Sequence, residues 1–103
     1  MINLVEKNSE AIKELCLKFK VLRLELFGSA ATDKQFDTRE SDLDFLVEFK
    51  TLKAGEYADA YFGLLEALEN LFQRHIDLVM PRAIKNPYFL EAINKNRKVL
   101  YAA

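Results

Sequence analysis

The chain has 103 residues, half of them hydrophobic, which suits one domain with one modest core. Its 15 basic and 16 acidic residues give a formal net charge of -1. The positive and negative charges nearly cancel, so the protein lacks the strong net positive charge by which basic proteins attract nucleic acid or a membrane surface. Neither partner is therefore expected. We therefore expect a single domain over residues 1–103.

The amino-terminal residues and the cysteine content indicate the compartment. The sequence MINLVEKNSE is too charged and its apolar run too short for a secretory signal, and no later stretch reaches membrane-spanning length. Cys16 is the only cysteine, and it falls among apolar residues at helical spacing, so a buried thiol is favoured over a reactive one. These features predict a soluble protein in the reducing cytoplasm.

The first elements are a helix and a strand. Asn8 or Ser9 can cap a helix whose apolar stripe faces the core and which ends near Lys20. The segment from Val21 to Phe27 alternates like a half-exposed strand, and Gly28 ends it. One predicted strand face holds Leu22, Leu24 and Leu26, and the other holds Arg23 and Glu25.

A polar loop and a second strand follow. The run from Ala30 to Ser41 is rich in charged residues and predicts a loop. Alternation resumes from Asp42 to Lys50 and predicts a strand. Its apolar face holds Leu43, Phe45, Val47 and Phe49, and its opposite face holds Asp42, Asp44, Leu46 and Glu48.

The remaining elements complete the predicted fold. Helical spacing from Glu56 to about Arg74 predicts the longest helix, and His75 to Met80 predicts a short third strand. Asn86-Pro87 starts a further helix, and residues 98–101 suit a short edge strand or a tail. The order predicts an α/β (α+β) two-layer sandwich, a small mixed β-sheet with helices on one face, with the strand order left open.

Three aspartates lie in predicted strands, where aspartate is an uncommon residue. Asp42 and Asp44 are two residues apart, so their carboxylates project from one face about 6.5 to 7 Å apart. The like charges repel unless a divalent cation neutralises them, and oxygen ligands favour Mg²⁺ or Mn²⁺. The carboxylate of Asp77 would lie close to this pair if the third strand lies next to the second strand in the sheet. Three carboxylates would then hold two ions suited to in-line nucleotidyl transfer.

Gly28-Ser29 follows the first strand and offers what a triphosphate requires. Glycine permits close backbone approach, and the turn supplies free N–H donors and a hydroxyl group. Alone, such a dipeptide is more often a simple strand terminator. In combination with the aspartates, it predicts a nucleotide-binding site.

Three segments carry a resemblance to a known family: LFGSAA at 26–31, SDLDFLV at 41–47 and IDLV at 76–79. They resemble the minimal nucleotidyltransferases of the DNA-polymerase-β superfamily, and the similarity spans most of the chain. The resemblance implies that Gly28 and Ser29 bind the triphosphate of ATP and that Asp42 and Asp44 bind two metal ions. It also implies that Asp77 completes the site and assists the incoming hydroxyl.

The same resemblance implies a partner. Minimal nucleotidyltransferases often pair with a helical HEPN protein encoded nearby that resembles a ribonuclease toxin, and they act as its antitoxin, in some cases by adding AMP to a tyrosine. A homo-oligomer is also left open. The expected activity is therefore a metal-dependent AMP transfer from ATP to such a hydroxyl.

One departure from the family pattern keeps alternatives open. The family commonly continues Gly-Ser-x-Ala with Arg-Gly, whereas this chain has Thr32-Asp33 after Ala31. A negative charge near a triphosphate is unfavourable, although Lys34 or Arg39 could substitute. The alternatives are an antitoxin that neutralises a HEPN toxin by binding alone and a catalytic subunit that modifies a small molecule such as an aminoglycoside.

Residues outside these motifs receive simpler interpretations. His75 precedes Asp77 by two positions on the same strand face, which suggests a base or metal ligand, yet polar surface is favoured for a lone histidine. The aromatic residues Tyr57, Tyr61 and Phe62 suit the core, and any exposed excess would support a protein interface.

Overall fold

The computed structural model describes residues 3–28, 42–80 and 97–103. The elements are α1 (Asn3–Glu6), α2 (Ser9–Lys18), β1 (Val21–Phe27), β2 (Leu43–Phe49), α3 (Glu56–Phe72), β3 (Ile76–Val79) and β4 (Lys98–Ala102). The predicted loop at 30–41 and the predicted helix that begins at Asn86-Pro87 lie outside the described residues. None of the described helices combines the length and the hydropathy that a membrane span requires.

The four strands form one mixed sheet in the order β3-β2-β1-β4. β1 pairs antiparallel with β2 and with β4, whereas β2 and β3 run parallel. α3 makes the crossover between the two parallel strands, because such strands cannot be joined by a tight turn. The predicted mixed sheet is confirmed, and β4 is the predicted edge strand.

The main core lies between one sheet face and the described helices. α3 contributes Ala60, Leu64, Leu68 and Phe72, which recur every four residues and form one buried stripe. The sheet contributes the predicted apolar face of β2, and α1 and α2 add further buried residues. These are Val5, Ile12 and Cys16. Cys16 is fully buried, which raises its pKa to about 12, as expected of an unreactive thiol.

The opposite sheet face has a smaller apolar cluster. Phe27 and Leu46 are buried there, with Val79 packed against them. Leu46 therefore lies on the face of β2 that was predicted for it, which is the face that also carries Asp44. The candidate site residues described below lie on this second face.

β1 departs from the predicted alternation. The register with β2 shifts between Val21 and Arg23, which is a bulge at Leu22. Because the extra residue shifts the alternation, Val21 is buried with Leu24, whereas Leu22 is 39% exposed. The prediction that Leu22 shares a face with Leu24 and Leu26 is therefore wrong.

Glu25 differs from the surface residue that the alternation suggests. Its side chain is only 3% exposed and forms an ion pair with Arg23 on the same strand. Arg97, which immediately precedes β4, places its Nε 3.0 Å from the second carboxylate oxygen. A buried carboxylate requires such compensation, and these ion pairs link β1 to the segment that leads into β4.

Candidate active site

The pairing of β2 with β3 brings four polar side chains onto one sheet face. Asp44 lies directly beside Asp77 in the parallel register. The backbone N–H of Leu43 donates to the carbonyl oxygen of His75 at 3.4 Å, which places the residues before the two strands side by side. Alternate residues of a strand point to the same face, so Asp42, Asp44, His75 and Asp77 form a two-by-two group, here called the β2–β3 array.

Distances within the β2–β3 array are short. The Nδ1 atom of His75 lies 3.6 Å from Oδ2 of Asp42 and 3.9 Å from Oδ1 of Asp77. One ligand atom from each of these three residues lies within 4.8 Å of the others. The carboxyl group of Asp44, when protonated, can donate a hydrogen bond to the carboxylate of Asp77. Among the described residues, the group of close ligand atoms thus consists of Asp42, His75 and Asp77, and Asp44 lies beside Asp77 on the neighbouring strand without joining that group.

The carboxyl group of Asp44 shows the electrostatic consequence. Burial, the hydrogen bond with Asp77 and the charges of Asp77 and Asp42 raise its pKa from 3.8 to about 7, whereas His75 acts in the opposite direction. Below about pH 7 a proton therefore neutralises this carboxyl group among its negatively charged neighbours. A bound cation would neutralise the same charges. This property and the oxygen donors fit a divalent metal ion at this position.

Gly28 forms the adjoining wall of the site. It follows Phe27, which pairs with Asp44 across β1 and β2. Its φ angle is +74°, and a Cβ atom at this position would lie 2.5 Å from Oδ2 of Asp44. Glycine is therefore required both for the backbone conformation and for the close approach to the carboxylate. Ser29, the other predicted nucleotide-binding residue, lies outside the described residues.

His75 takes a more central place than its interpretation as polar surface suggests. Its side chain is 58% exposed, yet it lies within ion-pair distance of two of the three aspartates. The signal in the sequence was the two-residue spacing to Asp77. That spacing places His75 near Asp42 only because β3 pairs in parallel with β2, and this pairing could not be predicted from the sequence.

Comparisons with known proteins show the family of this chain. The sequence model of the nucleotidyltransferase domain matches residues 9–100. A protein of Methanocaldococcus jannaschii, named as a candidate protein adenylyltransferase, is 33% identical over 93 residues, which cover 90% of this chain and 87% of the relative. A second such protein from the same organism is 36% identical over 94 residues, covering 91% and 88%.

Solved structures share the fold. One described as a candidate minimal nucleotidyltransferase has a TM-score of 0.65 at 26% identity, covering 94% of this chain and 95% of the other. A toxin–antitoxin structure with AMP-PNP gives 0.67 at 24%, covering 93% and 74%. A complex of a tri-AMPylated Shewanella oneidensis HEPN toxin with its MNT antitoxin gives 0.62 at 22%, covering 95% and 72%.

Proposed function

We propose that this chain, which belongs to the nucleotidyltransferase domain family, transfers AMP from ATP to a hydroxyl group of a HEPN-domain protein and thereby acts as its antitoxin. A tyrosine side chain is the proposed acceptor. The observation that carries the proposal is the position of Asp44 beside both Asp77 and Gly28, with Asp42 close to Asp77. No covalent protein nucleophile is needed for this reaction.

The proposed roles assign the metal ions to the carboxylates and the triphosphate to Gly28 and Ser29. Asp42 and Asp44 would hold two Mg²⁺ or Mn²⁺ ions, with Asp77 completing the set. Such ions activate an attacking hydroxyl and stabilise the departing pyrophosphate. Gly28 lets the triphosphate approach the backbone closely, and Ser29 offers a hydroxyl donor.

Asp77 has a separate role toward the acceptor. Its side chain is 49% exposed, so a hydroxyl group from a partner can reach it. There it would accept the hydroxyl proton while the oxygen forms its bond to the α-phosphorus of ATP and the bond to pyrophosphate breaks. The positions of Asp44 and Asp77, side by side on neighbouring strands, support this division of roles.

An apolar groove between α3 and the edge strand β3 supports a protein as the acceptor. Its volume is about 430 Å³, and it is lined by Tyr57, Ala58, Tyr61, Phe62, Leu78, Val79 and Met80. Leu78 and Val79 directly follow Asp77 on β3. Phe62 is 64% exposed at the groove, and aromatic side chains of this kind are frequent anchors in protein interfaces. A HEPN partner bound in this groove would contact β3, the edge strand that also carries Asp77.

Transfer can be tested with ATP labelled either at the α-phosphate or at the γ-phosphate. The chain, Mg²⁺ and the HEPN protein encoded nearest to it should yield a partner that carries the α label and lacks the γ label. Asp42→Asn and Asp44→Asn should abolish labelling, whereas Asp59→Asn, an exposed aspartate in the first turn of α3, should preserve it. Undiminished labelling by both site variants would rule out the proposed site.

The same variants, assayed for neutralisation of the partner as well as for labelling, distinguish an alternative function that Thr32-Asp33 favours. An antitoxin that acts by binding alone would leave the partner unlabelled and would still neutralise it. In that case Asp42→Asn and Asp44→Asn would retain full neutralisation. The AMP-transfer proposal instead expects both variants to lose neutralisation along with labelling.

A further inference from the structure

We propose that the imidazole of His75 is a direct metal ligand, which shifts the preference of the site from Mg²⁺ toward transition-metal ions such as Mn²⁺ and Zn²⁺. This inference rests on the metal site of the proposed function and adds a residue and a selectivity to it. Carboxylates alone favour Mg²⁺ and Mn²⁺, whereas an imidazole nitrogen favours transition metals.

The backbone positions His75 for this role. The hydrogen bond from the N–H of Leu43 to the carbonyl oxygen of His75 extends the β2–β3 pairing by one residue. His75 thus lies across from Asp42, just as Asp77 lies across from Asp44. The imidazole therefore occupies the fourth corner of the β2–β3 array, on the same face as the carboxylates.

The distances suit a shared ion. Two donor atoms bonded to one ion at about 2.1 Å lie roughly 3 to 4 Å apart. The Nδ1 atom of His75 is 3.6 Å from an oxygen of Asp42 and 3.9 Å from an oxygen of Asp77, both within this range. The ligand atoms of all three residues lie within 4.8 Å of one another. Because the side chains are about half exposed, small rotations can bring all three ligand atoms to one ion.

A competing role for His75 must be distinguished from metal binding. The same distances would serve an imidazolium that pairs with Asp42 and Asp77 and leaves when a metal ion arrives. The two roles predict opposite effects on affinity. Removing a ligand weakens metal binding, whereas removing a competing cation strengthens it.

Metal titration by calorimetry tests the inference. His75→Ala should weaken Zn²⁺ binding by at least about tenfold and leave Mg²⁺ affinity within a few-fold of wild type. His75→Asn places an amide oxygen near the position of Nδ1, so Mg²⁺ binding should persist and the preference for Zn²⁺ over Mg²⁺ should fall. Unchanged Zn²⁺-to-Mg²⁺ ratios in both variants would overturn the inference, as would tighter binding in His75→Ala.

Nuclear magnetic resonance gives a direct readout, because His75 is the only histidine in the chain. On saturation with Zn²⁺, the ¹⁵N resonance of its Nδ1 should move to the range of a metal-bound nitrogen. A resonance that keeps the value of free imidazole while Zn²⁺ binds in an Asp44-dependent manner would contradict the role of His75 and leave the proposed function intact. Loss of Asp44-dependent binding for every metal tested would instead contradict the proposed function itself.

Discussion

The carboxyl group of Asp44 lies where burial and the neighbouring carboxylates make its negative charge unfavourable. Its pKa of about 7 in the folded protein is above the ordinary value of 3.8. The folded state therefore binds more protons than the unfolded chain between about pH 4 and pH 7. The free energy of unfolding consequently falls as the pH rises through this interval.

Replacing this carboxyl group should remove that pH dependence. Without metal, we expect Asp44→Asn to melt close to wild type at pH 4 and a few degrees above it at pH 7.5, as measured by thermal unfolding in a chelator. Carboxylates outside the β2–β3 array titrate alike in both proteins and cancel in the comparison. A melting difference that stays constant from pH 4 to pH 7.5 would contradict the environment assigned to Asp44. Added Mg²⁺ should then raise the melting temperature of wild type alone.

Gly28 and Gly55 form a matched pair for testing the wall of the site. Both have positive φ angles, +74° and +91°. An added Cβ at Gly28 meets Asp44, whereas one at Gly55 meets no described heavy atom within 4 Å. Alanine at either position should lower the free energy of unfolding by about 1–2 kcal/mol because of backbone strain.

Only the Gly28 variant should also damage the site. We expect Gly28→Ala to abolish binding of ATP with Mg²⁺, measured by calorimetry, because the new methyl group displaces the Asp44 carboxylate. Gly55→Ala should bind as wild type does. Equal binding by the two variants would show that the contact between Gly28 and Asp44 has no functional role.

Among the elements, α3 contains a glycine that helix propensity does not explain. Gly63 lies in the middle of the helix, where alanine ordinarily stabilises by about 0.5–1 kcal/mol. A Cβ at this position, however, would lie 2.5 Å from Cε1 of Phe19. The glycine therefore makes room for the aromatic ring that follows α2.

This packing predicts an inverted effect of substitution. Gly63→Ala should destabilise the protein by about 1–3 kcal/mol through overpacking, as measured by denaturant unfolding. In a Phe19→Leu background the same change should be much less harmful, so the double-mutant cycle should show coupling. Independent, additive effects would mean that the ring moves aside without consequence.

The elements also show what alternation can and cannot predict. β2 follows strict alternation, and its two faces were predicted residue by residue. β1 has the same pattern of apolar residues, but the bulge at Leu22 exposes that side chain. A bulge depends on how the partner strand pairs, and β1 pairs on both sides, so its own residues do not reveal the shift.

For the whole molecule, the strand order decides whether the site exists. The sequence identified Asp42, Asp44 and Asp77 as candidates, but their meeting depends on β3 pairing with β2 rather than with β1 or β4. That pairing is a long-range property, since α3 separates the two strands. His75 gains its place in the β2–β3 array from the same pairing.

The proposed partner groove makes a prediction at this scale. Phe62→Ser should weaken binding of the HEPN partner by at least about tenfold, because an exposed aromatic anchor is lost, and should leave binding of ATP unchanged. Leu17 on α2 is similarly exposed, at 59%, and is not among the groove residues, so Leu17→Ser is a matched control. Equal losses in both variants, measured by surface plasmon resonance, would argue against the groove.

The most direct measurement of the central claim is the intact mass of the HEPN partner after incubation with the chain, ATP and Mg²⁺. With wild type, the partner should gain the mass of one or more AMP groups. With Asp77→Asn, which keeps the size of the side chain, the mass should stay unchanged while circular dichroism shows the same fold. Modification by Asp77→Asn at the wild-type rate would contradict the claim that the three aspartates act as one site.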